Sequence, residues 1–361
     1  MLNSKSKIFL FPYYFTLKIR HFLYDKNIFK IHSFPIPVIC VGNVTVGGTG
    51  KTPHCEMIIR LLKEKYKIAL LSRGYKRTTK GFLYVTTNNT FREVGDEPLQ
   101  IKQKFSDISV AVCREREIGI DKLITEQNPE LIILDDAFQY RKIRASHSIV
   151  LVNYNNPVDN DNLLPIGTLR DLPSRIHKAD TIIVTSLPFR SDIDEDTDSE
   201  DIAEYIKKQN LIWRKRLSIH TNQNLFFSVI IYKNLSPIFQ ELADTRYIYS
   251  KTAILFSGIA NDSSIRSYLS RKYIIKESIQ FEDHKDFSAA DIKLINKFAL
   301  NNPISVIITT EKDSKRISES NGLNEGVKAR LFYLPIEVNI IPNQQQDFFL
   351  QEIVKLPSAS K

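Results

Sequence analysis

The chain has few cysteines, and it contains no apolar run long enough to cross a bilayer. Its three cysteines, Cys40, Cys55 and Cys113, are far apart and form no Cys-x-x-Cys pair, which argues against a zinc ribbon or a disulfide framework. The seven histidines show no metal-ligand spacing, so no zinc site is expected. A membrane-spanning helix needs about 20 apolar residues, whereas the longest early run, residues 8–15, is short and contains Pro12. We therefore expect neither a transmembrane helix nor a cleaved signal peptide.

The length, composition and net charge of the chain indicate a globular protein with an anionic partner. The 361 residues are 42% hydrophobic and 25% charged, and this length favours two domains. The net charge of +9 favours a nucleotide, a phosphorylated substrate, a nucleic acid or an anionic lipid, without choosing among them. The chain carries no recognisable nucleic-acid-binding module, so nucleic acid is not an expected partner. No protein partner is predicted.

A glycine-rich loop between a predicted strand and a predicted helix is the strongest functional signal. Residues 41–53 read Val-Gly-Asn-Val-Thr-Val-Gly-Gly-Thr-Gly-Lys-Thr-Pro and follow a β-prone run. A strand, a loop ending in Gly-Lys-Thr and a helix form the layout of a phosphate-binding P-loop. The general pattern has glycine where Thr45 stands, and Gly42 lies three residues earlier. A merely flexible loop is the alternative. We predict that nucleotide is bound by Thr45, Val46, Gly47, Gly48, Thr49, Gly50, Lys51 and Thr52.

Two adjacent carboxylates follow another predicted buried strand. Residues 131–136 read Leu-Ile-Ile-Leu-Asp-Asp, the Walker B layout in which a strand carries an acid to the sheet edge beside a P-loop. We expect Lys51 to reach the β- and γ-phosphates, and the Thr52 hydroxyl to ligate Mg²⁺. Asp135 and Asp136 complete the predicted magnesium site, and the spacing leaves open which of them touches the metal.

The amino-terminal segment has an apolar pattern with helical spacing. Phe11, Phe15, Ile19, Phe22 and Leu23 recur with that period, and residues 1–30 contain six Lys or Arg and one acid. A basic amphipathic helix of this kind can lie in a membrane interface. Because packing against the protein's own core requires the same pattern, the segment alone favours neither interpretation.

The order of predicted elements indicates an α/β fold with a P-loop NTPase-like, doubly wound parallel sheet and a second, smaller α/β domain. Strands are predicted at residues 36–41, 68–72, 108–113, 131–134, 149–153, 181–185, 253–257, 306–310 and 331–338, with residues 225–232 as an extended connector. We predict an amino-terminal segment at 1–33, a kinase domain at 34–220, a linker at 221–250 and a carboxyl-terminal domain at 251–361.

Several weaker motifs carry no function by themselves. Asp96, in Gly-Asp-Glu-Pro, lies where a helix is predicted to begin, and that structural role is sufficient to explain an aspartate at this position. His284 is a lone histidine in a polar loop, and residues 191–201 form an acidic run with no assigned chemistry. Residues 309–313 read Thr-Thr-Glu-Lys-Asp, one residue away from the spacing of a guanine-reading motif, which argues against a GTPase.

Taken together, these motifs resemble the tetraacyldisaccharide 4′-kinase family of lipid A biosynthesis. They occur in family order over nearly the whole chain, and the displaced first glycine of the loop is a feature of that family. The matching segments are residues 42–53, 72–75, 95–98, 134–139, 163–165 with 169–170, 258–261, 283–284 and 310–313. The sequence departs from the common pattern at Ala137, Tyr140 and Asp171.

The resemblance implies an ATP- and Mg²⁺-dependent kinase that phosphorylates the 4′-hydroxyl of a tetraacylated glucosamine disaccharide 1-phosphate, the lipid A disaccharide precursor. It also implies a peripheral enzyme on the cytoplasmic leaflet of the bacterial inner membrane. That location favours membrane and lipid contact as the role of the amino-terminal helix.

The resemblance also implies roles for individual residues. Asp96 matches the family's general base and His284 its partner, while Lys51 and Asp136 complete the predicted catalytic set. The predicted substrate contacts are Arg73, Arg116, Gln139 and Arg170, although Arg114 could occupy the place assigned to Arg116. The alternative function is a regulatory or metallochaperone-like P-loop NTPase, which the absence of a Cys/His metal pattern and of a guanine motif disfavours.

Overall fold

The computed structural model describes residues 4–188, 200–259, 262–282 and 286–355, and it describes side chains from residue 12 onward. The role of His284, and residues 191–199 of the acidic run at 191–201, therefore lie outside the described residues. The chain divides into two compact units. The first comprises residues 1–230 and 338–361, and the second comprises residues 231–337.

The described residues form fourteen strands, and most of them pair in parallel. The strands are β1 (Val38–Gly42), β2 (Ile68–Ser72), β3 (Leu83–Tyr84), β4 (Ser109–Val112), β5 (Leu131–Asp135), β6 (His147–Asn153), β7 (Thr181–Thr185), β8 (Asn224–Tyr232), β9 (Ser236–Pro237), β10 (Thr252–Ser257), β11 (Ile274–Gln280), β12 (Val306–Thr310), β13 (Leu331–Leu334) and β14 (Ile336–Ile341).

Eleven α-helices connect or flank these strands in the described part of the chain. They are α1 (Ser4–Asp25), α2 (Lys51–Leu62), α3 (Phe91–Val94), α4 (Asp96–Lys104), α5 (Arg116–Gln127), α6 (Glu200–Arg216), α7 (Ser263–Leu269), α8 (Ala289–Asn301), α9 (Glu311–Ser318), α10 (Glu325–Lys328) and α11 (Gln344–Ile353). None of the described helices combines the length and apolarity that crossing a membrane requires.

The first unit is built on a nine-stranded sheet whose order is β14-β8-β7-β6-β1-β5-β2-β4-β3. β1 lies between β5 and β6 and pairs in parallel with both. Every residue of β1, β2 and β5 is buried, as expected for central strands of a parallel sheet that is covered on both faces. Because chain order reverses at β1, the carboxyl ends of β1 and β5 lie at the place where ligands bind in such sheets.

The second unit has a five-stranded sheet of order β11-β10-β12-β13-β9. β10 pairs in parallel with β11 and β12, and β12 pairs in parallel with β13. Buried residues of β10, β12 and α8 form its core, among them Phe256, Ile295 and Ile307. The predicted fold class, an α/β protein with a large, mostly parallel sheet and a smaller α/β part, is confirmed.

The structure corrects two details of the predicted organisation. Residues 225–232, predicted as a connector, form β8, which is paired with β7 inside the nine-stranded sheet. The single strand predicted at 331–338 is two strands in different sheets, β13 and β14. Since β14 joins the larger sheet, residues 338–361 belong to the first unit, whereas the predicted boundaries assign them to the second domain.

Candidate nucleotide and phosphoryl-transfer site

The glycine-rich loop connects the end of β1 to the start of α2, as the sequence pattern requires. Gly50, the residue before α2, has a φ of 82°, and Gly47 has a φ of 99°; both values lie in the left-handed region that favours glycine. Val46, Gly47 and Gly48 are exposed. The two exposed glycines, Gly47 and Gly48, and the start of α2 therefore form an accessible surface, which suits an anion.

His54, on α2, fixes the last glycine of the loop and was not singled out by sequence reasoning. Its Nδ1 donates to the Gly50 carbonyl at 2.6 Å, because a carbonyl can only accept. Burial lowers the pKa of His54 to about 4, so the ring is neutral and Nε2 accepts from the Ser228 hydroxyl at 2.9 Å. Ser228 lies on β8, the segment predicted as an extended connector.

Asn43 holds the loop from inside, and it too was not predicted. Its amide donates to the Thr49 hydroxyl at 2.8 Å, and its Oδ1 accepts from Arg170 at 2.6 Å. Its backbone carbonyl accepts from the side-chain amide of Gln139. Arg170 and Gln139, both predicted as substrate contacts, therefore bind the nucleotide loop itself.

The segment that leads to Arg170 runs along the same loop. The Val46 N–H donates to the Thr168 carbonyl at 2.7 Å, and the Arg170 N–H donates to the Val44 carbonyl at 2.9 Å. Thr45 and Leu169 form an antiparallel bridge between these two hydrogen bonds. This segment, weak as a sequence motif, is one wall of the glycine-rich loop.

Gly42 is required by close packing at the end of β1. A Cβ at this position would lie 2.6 Å from Phe138 Cβ and 2.9 Å from the Phe138 backbone nitrogen. We predict that Gly42→Ala lowers the free energy of unfolding by about 1–3 kcal/mol, because backbone must move to make room. Chemical denaturation tests this, with Gly48→Ala as control, since a Cβ at Gly48 meets no atom within 4 Å. Equal stability of the two variants would contradict the prediction.

Asp135 ends β5 and is buried next to β2. The Ser72 hydroxyl, at the end of β2, donates to its Oδ2 at 3.2 Å, and the Cys55 thiol lies 3.7 Å from Oδ1. Burial, followed by the negative charges of Glu97 and Asp136, raises the pKa of Asp135 to about 7. Negative charge is therefore concentrated at this end of β5.

Asp136 lies closer to the loop and has cationic partners. Arg170 forms a two-pronged ion pair with it, with Nη1 at 3.2 Å from Oδ2, and Lys51 Nζ lies 3.8 Å from Oδ1. Burial acts to raise the pKa of Asp136, but the positive charges of Lys51 and Arg170 outweigh it and hold the pKa below its usual value. Asp136 is thus ionised, and the structure places it 3.8 Å from Lys51.

Asp96 is the first residue of α4 and is buried. Gly95, which precedes it with a φ of 93°, packs against the backbone of Gly74 and Tyr75. Asp96 Oδ1 accepts from the Glu97 N–H at 3.0 Å. Because the Glu97 carboxylate acts electrostatically on Asp135, the start of α4 lies on the Asp135 side of the site.

Arg116, at the start of α5, is a buried cation beside this cluster. Its guanidinium lies 5.1 Å from the Tyr140 ring centre, and its Nε is buried without a hydrogen-bond partner. Burial, followed by the positive charge of Arg73, lowers the pKa of Arg116, while Asp135 and Asp136 act in the opposite direction. Arg114 is exposed. Of the two arginines that the sequence left open, Arg116 is therefore the one beside the carboxylates.

The Thr-Glu-Lys-Asp motif has a structural role within the second unit. Asp313 is fully buried and accepts from the Gly258 N–H at 2.7 Å, the Thr310 hydroxyl at 2.6 Å and Arg316 at 2.9 Å. Thr310 in turn caps α9 through the Asp313 N–H. These contacts give the Thr-Glu-Lys-Asp motif a structural role, so guanine recognition is not needed to explain it.

The chain was compared with known proteins. The family model for LpxK, tetraacyldisaccharide-1-P 4'-kinase, matches residues 7–355. The tetraacyldisaccharide 4'-kinase of Phocaeicola vulgatus is 39% identical over 343 residues, which cover 91% of this chain and 88% of that relative. The enzyme of the same name from Flavobacterium johnsoniae is 39% identical over 352 residues, which cover 96% of each chain.

A solved relative agrees with these matches. The crystal structure of LpxK from Aquifex aeolicus in complex with ATP has a TM-score of 0.71 at 26% identity, and the alignment covers 98% of this chain and 100% of that one. The resemblance stated from the sequence motifs is confirmed. Because the family model spans nearly the whole chain and full-length relatives are 39% identical to it, the chain belongs to the tetraacyldisaccharide-1-P 4'-kinase family.

Proposed function

We propose that the chain transfers the γ-phosphoryl group of ATP to the 4′-hydroxyl of a tetraacylated glucosamine disaccharide 1-phosphate. The observation that carries this mechanism is the meeting of Lys51, at the start of α2, with Asp136, just after β5, at 3.8 Å. Phosphoryl transfer depends on positioning and on neutralising the charge of the transferring group. Lys51 and the exposed glycines of the glycine-rich loop are suited to that task.

The residues at the site suit Mg²⁺ by the chemistry of their donors. A buried Thr52 hydroxyl and the carboxylates of Asp135 and Asp136 are hard oxygen ligands. Among the described residues, no group of three or more His, Cys, Asp and Glu side chains is arranged to hold a metal by itself. Mg²⁺ is usually held by one or two carboxylates together with substrate phosphates, which is the pattern expected when it is bound with ATP. Bound there, it would neutralise phosphate charge.

Asp96 is the proposed general base, accepting or orienting the proton of the sugar hydroxyl. Its support is its burial at the start of α4, next to Glu97, whose negative charge acts on Asp135. The proposed partner of Asp96 is His284, whose support is the sequence motif alone. Holding Asp96 and tuning its basicity are the tasks of such a partner.

Arginines around the carboxylates are proposed to meet the anionic groups of ATP and of the lipid substrate. The unpartnered, buried Nε of Arg116 is the supporting observation, because a buried donor without an acceptor is costly and a phosphate oxygen would satisfy it. Arg73, exposed after β2, is proposed to contact the substrate. Gln139 and Arg170 are proposed to act on substrate only through the loop that they hold.

One assay tests this function. Purified protein is incubated with radiolabelled ATP and the detergent-dispersed disaccharide precursor, and label is followed into the lipid. Label in the 4′-phosphate supports the kinase. Phosphate release without labelled lipid would instead support the regulatory NTPase. The same assay without added Mg²⁺, in the presence of a chelator, is expected to give no product.

The proposed location is the cytoplasmic leaflet of the inner membrane, bound peripherally through α1. The supporting observation is that Leu17, His21 and Tyr24 are buried, whereas Phe15 and Phe22 are 53% and 55% exposed. Phe15, Ile19 and Phe22 of the predicted stripe therefore point away from the protein's own core, whereas Leu23 is half-buried. An aromatic stripe on a basic helix is suited to the interface of an anionic membrane.

We predict that replacing Phe15, Ile19 and Phe22 together by serine lowers binding to anionic vesicles about 10- to 100-fold, because the apolar area available for insertion is lost. Co-sedimentation with phosphatidylglycerol-containing vesicles measures this. The matched control is Leu211→Ser with Ile212→Ser on α6, which also removes exposed apolar side chains. Unchanged binding of the triple variant, or an equal loss in the control, would contradict the location.

A further inference from the structure

The inner face of α1 contacts the two residues that hold the glycine-rich loop. The Tyr13 hydroxyl donates to the backbone carbonyl of Arg170 at 2.9 Å. Arg20 Nη2 donates to the backbone carbonyl of Gln139 at 2.7 Å. These contacts join residues 157 and 119 positions apart in the chain, so they are features of the tertiary structure and not of local sequence.

Both acceptor residues use their side chains on the nucleotide loop. Arg170 binds Asn43 Oδ1 and Asp136, and Gln139 binds the Asn43 carbonyl. Two parallel connections therefore lead from α1 to Asn43, one through Arg170 and one through Gln139. In each, α1 donates to the backbone carbonyl of the connecting residue, whose side chain donates to Asn43. Asn43 in turn binds Thr49, a residue of the glycine-rich loop.

A buried hydrogen bond between His21 and Asp171 fixes α1 beside these connections. His21 Nε2 lies 2.6 Å from Asp171 Oδ1, and both side chains are buried. Arg141 donates to the His21 carbonyl at 3.0 Å and to Asp25 Oδ1 at 2.6 Å. Because Asp171 is the residue after Arg170, this hydrogen bond holds the same backbone that Tyr13 contacts.

We infer that Tyr13 and Arg20 are positioning residues of the nucleotide site, and that α1 sets the affinity for ATP by holding Arg170 and Gln139 in place. This inference deepens the proposed function and rests on it. It assigns α1 a second role that is independent of its outward aromatic stripe: the inner face organises the loop, whereas the outer face meets lipid. Burial and the negative charge of Asp171 raise the pKa of Tyr13, so its hydroxyl remains a donor at neutral pH.

A contact that only stabilises the fold would change the unfolding temperature and leave nucleotide affinity alone. A contact that orients the loop changes the affinity even where the fold is intact. Of the two connections, the one through Arg170 is expected to have the larger effect on ATP affinity, because Arg170 also balances the charge of Asp136 beside Lys51. A stabilising role and a positioning role therefore predict different results for the same substitution. The first predicts a change in the unfolding temperature alone, and the second predicts a change in the affinity for ATP.

The test is Tyr13→Phe in the full chain, with Tyr14→Phe as the matched control. The first change removes only the hydroxyl that donates to Arg170. The second removes a hydroxyl from the neighbouring tyrosine, which is 39% exposed. By isothermal calorimetry with ATP and Mg²⁺ and without lipid, we expect the Kd of Tyr13→Phe to rise about three- to tenfold, the usual effect of losing one hydrogen bond. The control is expected to match the unmodified chain.

Arg20 gives an independent comparison. Arg20→Met removes the donor to Gln139 and is expected to raise the Kd for ATP about three- to tenfold. Arg20→Lys keeps a cationic donor on a stem of similar length and is expected to recover part of that affinity. Vesicle binding in the co-sedimentation assay is the second measurement, and Tyr13→Phe is expected to bind vesicles as the unmodified chain does.

Two results would overturn the inference while leaving the kinase intact. One is an ATP affinity of Tyr13→Phe and Arg20→Met equal to that of the unmodified chain. The other is a loss of affinity that follows the unfolding temperature and occurs equally in Tyr14→Phe. If the unmodified chain itself failed to bind ATP or to label the lipid, the proposed function would fail, and the inference with it.

Discussion

Lys51→Met is expected to lower kcat for lipid phosphorylation by about 10²- to 10³-fold, the usual effect of losing one preorganised group that stabilises transition-state charge. Lys51 is the first residue of α2 and lies 3.8 Å from Asp136. Methionine keeps the length of the side chain and removes its charge. Initial rates of label transfer from ATP to the detergent-dispersed disaccharide measure the effect.

The control for Lys51→Met is Lys63→Met, which removes a lysine from the other end of the same helix. Lys63 is the residue after α2 and pairs with Asp107 at 2.9 Å on the surface. We expect it to keep kcat. Lys51→Met removes a cation that opposes the helix dipole but also a partner of Asp136, so the unfolding temperature is measured together with the rate. A rate within about threefold of the unmodified chain would remove Lys51 from the transfer step.

The nucleotide loop and the paired carboxylates could be predicted because their signals are local. A β-prone run, a glycine-rich loop and an amphipathic helix specify their own connection. A buried strand that ends in Asp135 and Asp136 carries both to a sheet edge, whatever its neighbours are. The structure then places β5 next to β1, with Val41 opposite Asp135, so the two motifs meet.

The parts that escaped prediction depend on contacts between distant segments. Arg170 meets Asn43 across 127 residues, and His54 meets Ser228 across 174. The periodicity or motif of one segment does not indicate which residue of a distant segment it will contact. For Asn43 the sequence contains one local signal. It is a polar residue between a predicted buried strand and a glycine-rich loop, and a buried polar side chain needs a hydrogen-bond partner.

The carboxyl-terminal segment was misassigned for a similar reason. Residues 331–338 were predicted as one strand although Pro335 interrupts the β-prone run; the proline is a local signal of a break, but it does not indicate that the chain changes sheets there. Leu331–Leu334 pairs with β12 in the smaller sheet, while Ile336–Ile341 adds to the larger one. Sheet membership is decided by partners far along the chain, so a pattern of single residues contains no information on it.

Asp96→Asn is expected to lower kcat by about 10²- to 10⁴-fold, the range that a positioned general base contributes. Asparagine has nearly the same shape, and its side-chain oxygen can still accept from the Glu97 N–H, as Asp96 Oδ1 does at 3.0 Å. The start of α4 should therefore keep its geometry, and ATP binding should remain within about twofold of the unmodified chain. Single-turnover transfer to the lipid and calorimetry with ATP separate these two effects.

The matched control for Asp96→Asn is Asp180→Asn. Asp180 accepts from the Ser148 N–H at 2.8 Å and from its hydroxyl at 2.7 Å, so it too is an aspartate bound to backbone, but it is exposed at the far ends of β6 and β7. The control should keep both kcat and ATP binding, since neither depends on that turn. If Asp96→Asn kept its rate within about tenfold, the residue would be the start of a helix and nothing more, and the sugar hydroxyl would have to lose its proton to another group.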